Sequence, residues 1–407
     1  MWGESCFGEV SVAAVGLAGI SNSVDLTAGL RRPSSYRFEL ECLRGLAILL
    51  VFLFHAYGIT WGDRATQLTP LNAWVVAGNT GVTLFFVLSG FLLSLPWLQH
   101  LLAGSPAPSV RAYYHARCLR ILPLYLVWVA AAALLTGHWS SALRAALFQP
   151  VGFSMFPYSV VWWTLCTEVQ FYLVLPLAFW CVQRGAIARA ILATLFITWL
   201  IAYFYWAFLW APEQPSVSWW SSKSLFGRLP AFLVGIALAW WYASHGTRIS
   251  GTPGRFLATA TLFALLATMS YLLWRGASIG DSTAERLWHI RHTLEAICWA
   301  LLIILFLTAR PLGSALLLNR PMAVLGKLSY SIYLNHVPIL FFLIYPLKTG
   351  GGHTPYPDTF AALYIPGLAL LISVFAAWLT YTGIELPFLK WKAGPARAEQ
   401  PAAAHTR

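Results

Sequence analysis

Arg44 and His55 stand eleven positions apart, with only uncharged residues between them, in a segment otherwise apolar enough to cross a bilayer. On an α-helix that separation is about 16 Å and returns to nearly the same face, so both side chains would line one stripe, one near each end of the span. Ionisable groups are costly in hydrocarbon and face a protein interior or a wet cavity, which makes the stripe a candidate functional site. The alternative is an Arg that reaches back to the headgroups and a His satisfied by a neighbouring helix. A second segment, VWWTLCTEVQFY at residues 161–172, carries Glu168. By helix rise that carboxyl lies roughly 13 Å below the outer face, at a depth comparable with that of His55. A carboxylate beside an imidazole holds one tautomer and stabilises the imidazolium during general base catalysis. The alternative is that Glu168 is a counter-charge only, neutralising Arg228 or another buried charge without chemistry.

Arg117 and Arg120 lie three residues apart in RAYYHARCLRILPLY, on one helical face. With Arg44 they can grip a phosphate-bearing ligand through bidentate, charge-assisted hydrogen bonds; the alternative is headgroup contact. LSYSIYLNH at residues 328–336 places His336 about 18 Å into a span that starts near Val324. Polar contacts between helices account well for its serines, and less well for Tyr330, Tyr333 and His336, each about one turn from the next. These three, with Arg228, are candidate substrate contacts. Gly81 to Gly90 reads as close helix packing through small residues.

With 59% hydrophobic residues, 10% charged residues and a mean hydropathy of +0.67, the chain is an all-α, polytopic membrane protein. The net charge of +12 raises nucleic-acid binding. The basic residues, however, come in twos and threes between apolar runs, the distribution that membrane topology produces. Six cysteines without CxxC spacing imply neither a disulfide framework nor a zinc site. Ten apolar spans are expected, at residues 39–58, 75–98, 119–136, 160–182, 187–209, 227–243, 257–275, 293–309, 324–346 and 360–383, around a polar central cavity. Lys and Arg concentrate at the N-terminus, in the even-numbered connections and in the tail, so both termini are expected in the cytoplasm. Trp-rich loops such as Trp206 to Trp210 and Trp219-Trp220 fall on the other side. Residues 1–35 read as a cytoplasmic extension, 36–390 as one transmembrane domain and 391–407 as a disordered tail.

In this order the motifs resemble those of the integral-membrane acyltransferase family 3, a bacterial O-acyltransferase and O-acetyltransferase family. The resemblance covers about residues 36–390. It rests on Arg-x10-His at Arg44 and His55, GVTLFFVLSGF at 81–91, RCLRILPLY at 117–125 and WTLCTEVQFYLVLP at 163–176. GRLPAFLVG at 227–235, LSYSIYLNHVP at 328–338 and IELPFLK at 384–390 complete it. It implies that His55 is the catalytic histidine and Glu168 a functional carboxylate, and that Arg44, Arg117 and Arg120 help hold the acyl donor. It also implies acyl-CoA, chiefly acetyl-CoA, as co-substrate and a carbohydrate or lipid-linked glycan as acceptor. The setting would be a bacterial cytoplasmic (inner) membrane, with lipid as neighbour and no metal or nucleic acid. No fused periplasmic transferase module is expected. Val169 and Thr167 stand where many relatives carry a further acidic or small residue. A secondary transporter would also place polar groups at mid-membrane, but it calls for internal repeats that spans one to five and six to ten do not show.

Overall fold

The computed structural model describes residues 38–61, 68–210, 221–245, 252–279, 286–347 and 359–393. The extension expected over 1–35, most of the tail expected over 391–407, and Trp219-Trp220 lie outside the described residues. All regular structure among the described residues is helical. The long helices are α1 (Phe38–Trp61), α2 (Thr80–Ala103), α3 (Val110–Thr136), α4 (Trp162–Gln183), α5 (Ala186–Tyr205), α6 (Leu225–His245), α7 (Thr252–Ile279) and α8 (Arg286–Thr308). Then come α9 (Arg320–Lys327), α10 (Ser329–Ile344), α11 (Thr359–Thr380) and α12 (Leu386–Ala393), with a short π-helical turn, Tyr381–Glu385, joining the last two. Nine of the described helical segments are long and apolar enough to cross a membrane, and α9 with α10 makes a tenth if that bent pair is one span. The protein is a polytopic, all-helical membrane protein.

Local sequence sets the helix ends. Gly104 and Gly137 close α2 and α3 in the left-handed conformation that lacks a Cβ penalty. Ser109 caps the start of α3 by accepting from the Ala112 N–H at 3.3 Å, and Asn319 caps α9 by accepting from the Met322 N–H at 2.9 Å. Packing rests on small residues where helices cross, as expected for Gly81 and Gly90. A Cβ on Gly81 would collide with the Ala47 carbonyl, and one on Gly90 with the Phe232 carbonyl, so α2 lies close against α1 and α6.

The ninth span departs from the expected straight helix over 324–346. It breaks at Leu328, and α9 and α10 meet at a 78° bend. A Cβ on Gly326 would strike the Glu41 carbonyl and one on Gly45 the Met322 carbonyl, so α9 lies backbone to backbone across α1. Hydropathy reads across the break because both halves contribute apolar residues. His336 therefore lies about 10 Å into α10, measured from Ser329.

Candidate active site

α1, α2, α3, α4 and α10 enclose a cavity of about 120 Å³. Arg44 of α1, Arg117 and Arg120 of α3, Ser89 of α2, Glu168 and Tyr172 of α4, and Ser329, Tyr330 and Tyr333 of α10 all line it. Six of the residues singled out in the sequence thus meet in one place: Arg44, Arg117, Arg120, Glu168, Tyr330 and Tyr333. The two tyrosines present their rings to the cavity while their hydroxyls tie helices together. Tyr330 donates to the Ile121 carbonyl at 2.7 Å. The Tyr333 hydroxyl lies 2.7 Å from the Thr164 hydroxyl and donates to the Val161 carbonyl at 3.1 Å.

The cavity is rich in cations. Arg120 pairs with Glu385 at 2.9 Å, and Glu385 also accepts from the Ser331 hydroxyl. Among the described residues Arg44 has one long hydrogen bond, 3.4 Å from Nη2 to the Ser329 hydroxyl, and its buried Nε has no partner. Arg117 makes no hydrogen bond among the described residues: its buried Nε is unpartnered, and its guanidinium stands 5.9 Å from the centre of the Tyr172 ring. The carboxylate of the lining, Glu168, accepts from the Ser89 hydroxyl at 2.7 Å. Two guanidinium groups with unspent donors therefore share a cavity with one carboxylate. That donor set fits an anion with several oxygens, such as a phosphate or pyrophosphate. Among the described residues, no three His, Cys, Asp or Glu side chains converge as metal ligands would.

His55 and Glu168 do not meet. The expected partner of the imidazole is replaced by a second imidazole: His336 Nε2 lies 3.1 Å from His55 Nδ1, with ring centroids 5.0 Å apart. Neither histidine lines the arginine cavity. The two regions adjoin through Tyr333, a cavity residue whose ring centroid is 5.9 Å from that of His336. Matching depth by helix rise left the rotation of α4 about its axis undetermined, and that rotation turns Glu168 toward Ser89.

Arg228 also lies elsewhere. It is buried, donates Nε to the Ser222 carbonyl at 2.8 Å and stacks its guanidinium 5.4 Å from the Trp163 ring. It does not line the cavity. Two residues not singled out do matter. Ser89 holds Glu168, and Glu385 anchors Arg120. Both fall inside quoted motifs, GVTLFFVLSGF and IELPFLK, and a carboxylate one residue before Leu386-Pro387 in an apolar run was the available signal for the second.

Comparison with known proteins gives the family. The O-acetyltransferase OatA of Staphylococcus aureus is 23% identical over 381 residues, covering 86% of this chain. The chain spans 57% of the length of that relative. Nodulation protein 10 of Rhizobium leguminosarum bv. viciae is 27% identical over 329 residues, 65% of this chain and 86% of its own length. No solved structure matches the chain. The model of the acyltransferase domain, Acyl_transf_3, matches residues 37–382, which includes every residue of the cavity, and the chain belongs to that family.

Proposed function

We propose that the protein is an O-acyltransferase that moves an acyl group, chiefly acetyl, from acyl-CoA to a hydroxyl of a carbohydrate or lipid-linked glycan. The observation that carries this reading is the pair of half-buried arginines, Arg44 and Arg117, whose buried Nε atoms have no partner among the described residues, in a cavity next to two histidines. Phosphates of the donor would take up those hydrogen bonds, with Arg120 held ready by Glu385. His55 stands eleven residues along α1 from Arg44, about 16 Å away by helix rise, where the thioester end of an extended donor would reach. There His55 takes the proton of the acceptor hydroxyl as its oxygen attacks the thioester carbonyl carbon. The C–S bond breaks, and the departing sulfur receives that proton as a free thiol. Glu168 acts on the cavity side, balancing the arginines, and not on His55. The names of the relatives support oxygen as the acceptor atom and acetyl as the group. The setting proposed is a bacterial cytoplasmic membrane with both termini inside, the donor entering at the arginines and the acceptor from the opposite face.

The test is release of thiol from acetyl-CoA by purified protein in lipid nanodiscs, with and without carbohydrate and glycolipid hydroxyl acceptors. Acceptor-dependent release that disappears in Arg44→Gln/Arg117→Gln at low donor concentration and returns at high concentration is the expected result. No release with any acceptor, or release indifferent to both arginines, contradicts the proposal.

A further inference from the structure

We infer that His336 is the positioning residue of His55: it fixes the tautomer that leaves Nε2 of His55 as the proton-accepting atom, and it receives the Nδ1–H when the ring becomes an imidazolium. The inference rests on the reading of His55 as the general base and adds which atom acts and what holds it.

The tautomers follow from the acceptors around each nitrogen. His336 Nδ1 lies 3.0 Å from the Ile332 carbonyl and 2.9 Å from the Tyr333 carbonyl. Carbonyl oxygens only accept, so Nδ1 of His336 carries the hydrogen and Nε2 of the neutral ring carries a lone pair. His55 Nδ1 lies 2.9 Å from the Val51 carbonyl and 3.1 Å from that Nε2. Both are acceptors, so His55 Nδ1 also carries its hydrogen, shared between them. The reverse assignment would turn the Nδ1 lone pairs of both rings onto carbonyl oxygens. A doubly protonated His336 would still leave the His55 lone pair against Val51. Nε2 of His55 has no hydrogen-bond partner among the described residues and is the nitrogen left to accept a proton. Once it does, the cation keeps two acceptors at Nδ1, the part a carboxylate plays in a serine protease triad. Aromatic rings frame the pair: Phe54 edge-on to His55 at 5.1 Å, and Phe52 at 6.2 Å and Tyr333 at 5.9 Å from His336. The helix supports the geometry, since each Nδ1 reaches a carbonyl one turn back on its own helix, which fixes both rings before they meet.

The experiment compares His336→Phe and His336→Gln in the acetyl-CoA thiol-release assay, with His55→Ala alongside. Phe removes the acceptor and keeps a ring; Gln places an amide oxygen near the position of Nε2. His336→Phe is expected to lower kcat about 10- to 100-fold, the scale on which losing the partner that orients a functional histidine acts, with the KM for acetyl-CoA unchanged. His336→Gln is expected to restore most of the loss. Normal kcat in His336→Phe, or a His336→Gln enzyme as slow as His336→Phe, overturns the inference. Should His336→Phe fail to accumulate, the 15N spectrum of histidine-labelled wild-type protein decides. A His55 ring protonated at Nδ1 supports the inference and one protonated at Nε2 overturns it. His55→Ala separates the two readings: if it keeps its turnover, His55 is not the base, whereas an inactive His55→Ala beside a normal His336→Phe removes the positioning role alone.

Discussion

The arginine cavity and the polar cluster on α8 both place charge inside an apolar bundle, and they differ in the space around it. On α8, Arg291, His292 and Glu295 are all buried. Glu295 lies 3.7 Å from His292 Nδ1 and accepts from the Thr83 hydroxyl at 3.4 Å, and one turn further on Trp299 donates to the Thr80 hydroxyl at 2.9 Å. Arg291 lies against Gly276, where the missing side chain makes room for its guanidinium. The cluster ties α8 to α2. Both regions hold an arginine Nε without a partner among the described residues, Arg291 on α8 and Arg44 and Arg117 in the cavity, but Arg44 and Arg117 line a space with room for a ligand. An unmade hydrogen bond at a buried polar atom costs stability, and beside an open space a ligand can complete it. The α8 cluster is built to hold helices, and the cavity is built to hold an anion.

That contrast can be broken in several ways. The largest effect is expected at the histidine pair: His55→Ala should cut acyl transfer roughly 10²- to 10⁴-fold, the usual contribution of a general base, while protein level and chromatographic behaviour stay normal. Near-normal turnover would detach the chemistry from this region. Next comes the ion pair that anchors Arg120, a residue of the cavity lining. Glu385→Gln leaves Arg120 without its counter-charge and should lower stability by on the order of 3 kcal/mol, read as an earlier thermal transition in detergent. An unchanged transition would mean that Arg120 is satisfied without Glu385. Arg117→Gln, removing a group with no hydrogen bond to lose, should leave the transition in place and raise the donor KM more than it lowers kcat. A shifted transition with an unchanged KM would make Arg117 structural. The smallest effect belongs to the α8 cluster: Trp299→Phe should destabilise by about 1 kcal/mol and leave turnover as it was. Lost turnover in a folded Trp299→Phe protein would erase the distinction between the two regions.

The parts of this architecture written in local chemistry were legible from the residues alone. Nine spans appear as long apolar segments, and Arg44, Arg117, Arg120 and Glu168 announce themselves as ionisable groups in or beside them. What hydropathy and rise cannot give is rotation about a helix axis. His55 and Glu168 sit at similar computed depths, yet α4 turns Glu168 to Ser89, and α10 brings His336 to His55. The break between α9 and α10 is hidden for a related reason. It goes with the crossing of α9 over α1 at two glycines, Gly45 and Gly326, a contact between residues far apart in sequence. Glu385 was overlooked because a carboxylate near the end of an apolar run reads as interfacial. Its burial depends on Arg120, which approaches from another helix.

The central claim is that the unspent donors of Arg44 and Arg117 exist for the phosphates of an acyl donor. The direct test is the thermal shift that CoA and pantetheine each produce on the wild-type protein and on Arg44→Gln/Arg117→Gln. Binding to the folded state raises the transition in proportion to the logarithm of ligand over Kd. The account predicts that CoA stabilises the wild type, that pantetheine, which lacks the phosphates, does so far less, and that the double variant loses the difference. Equal stabilisation of wild type and double variant by CoA would contradict it.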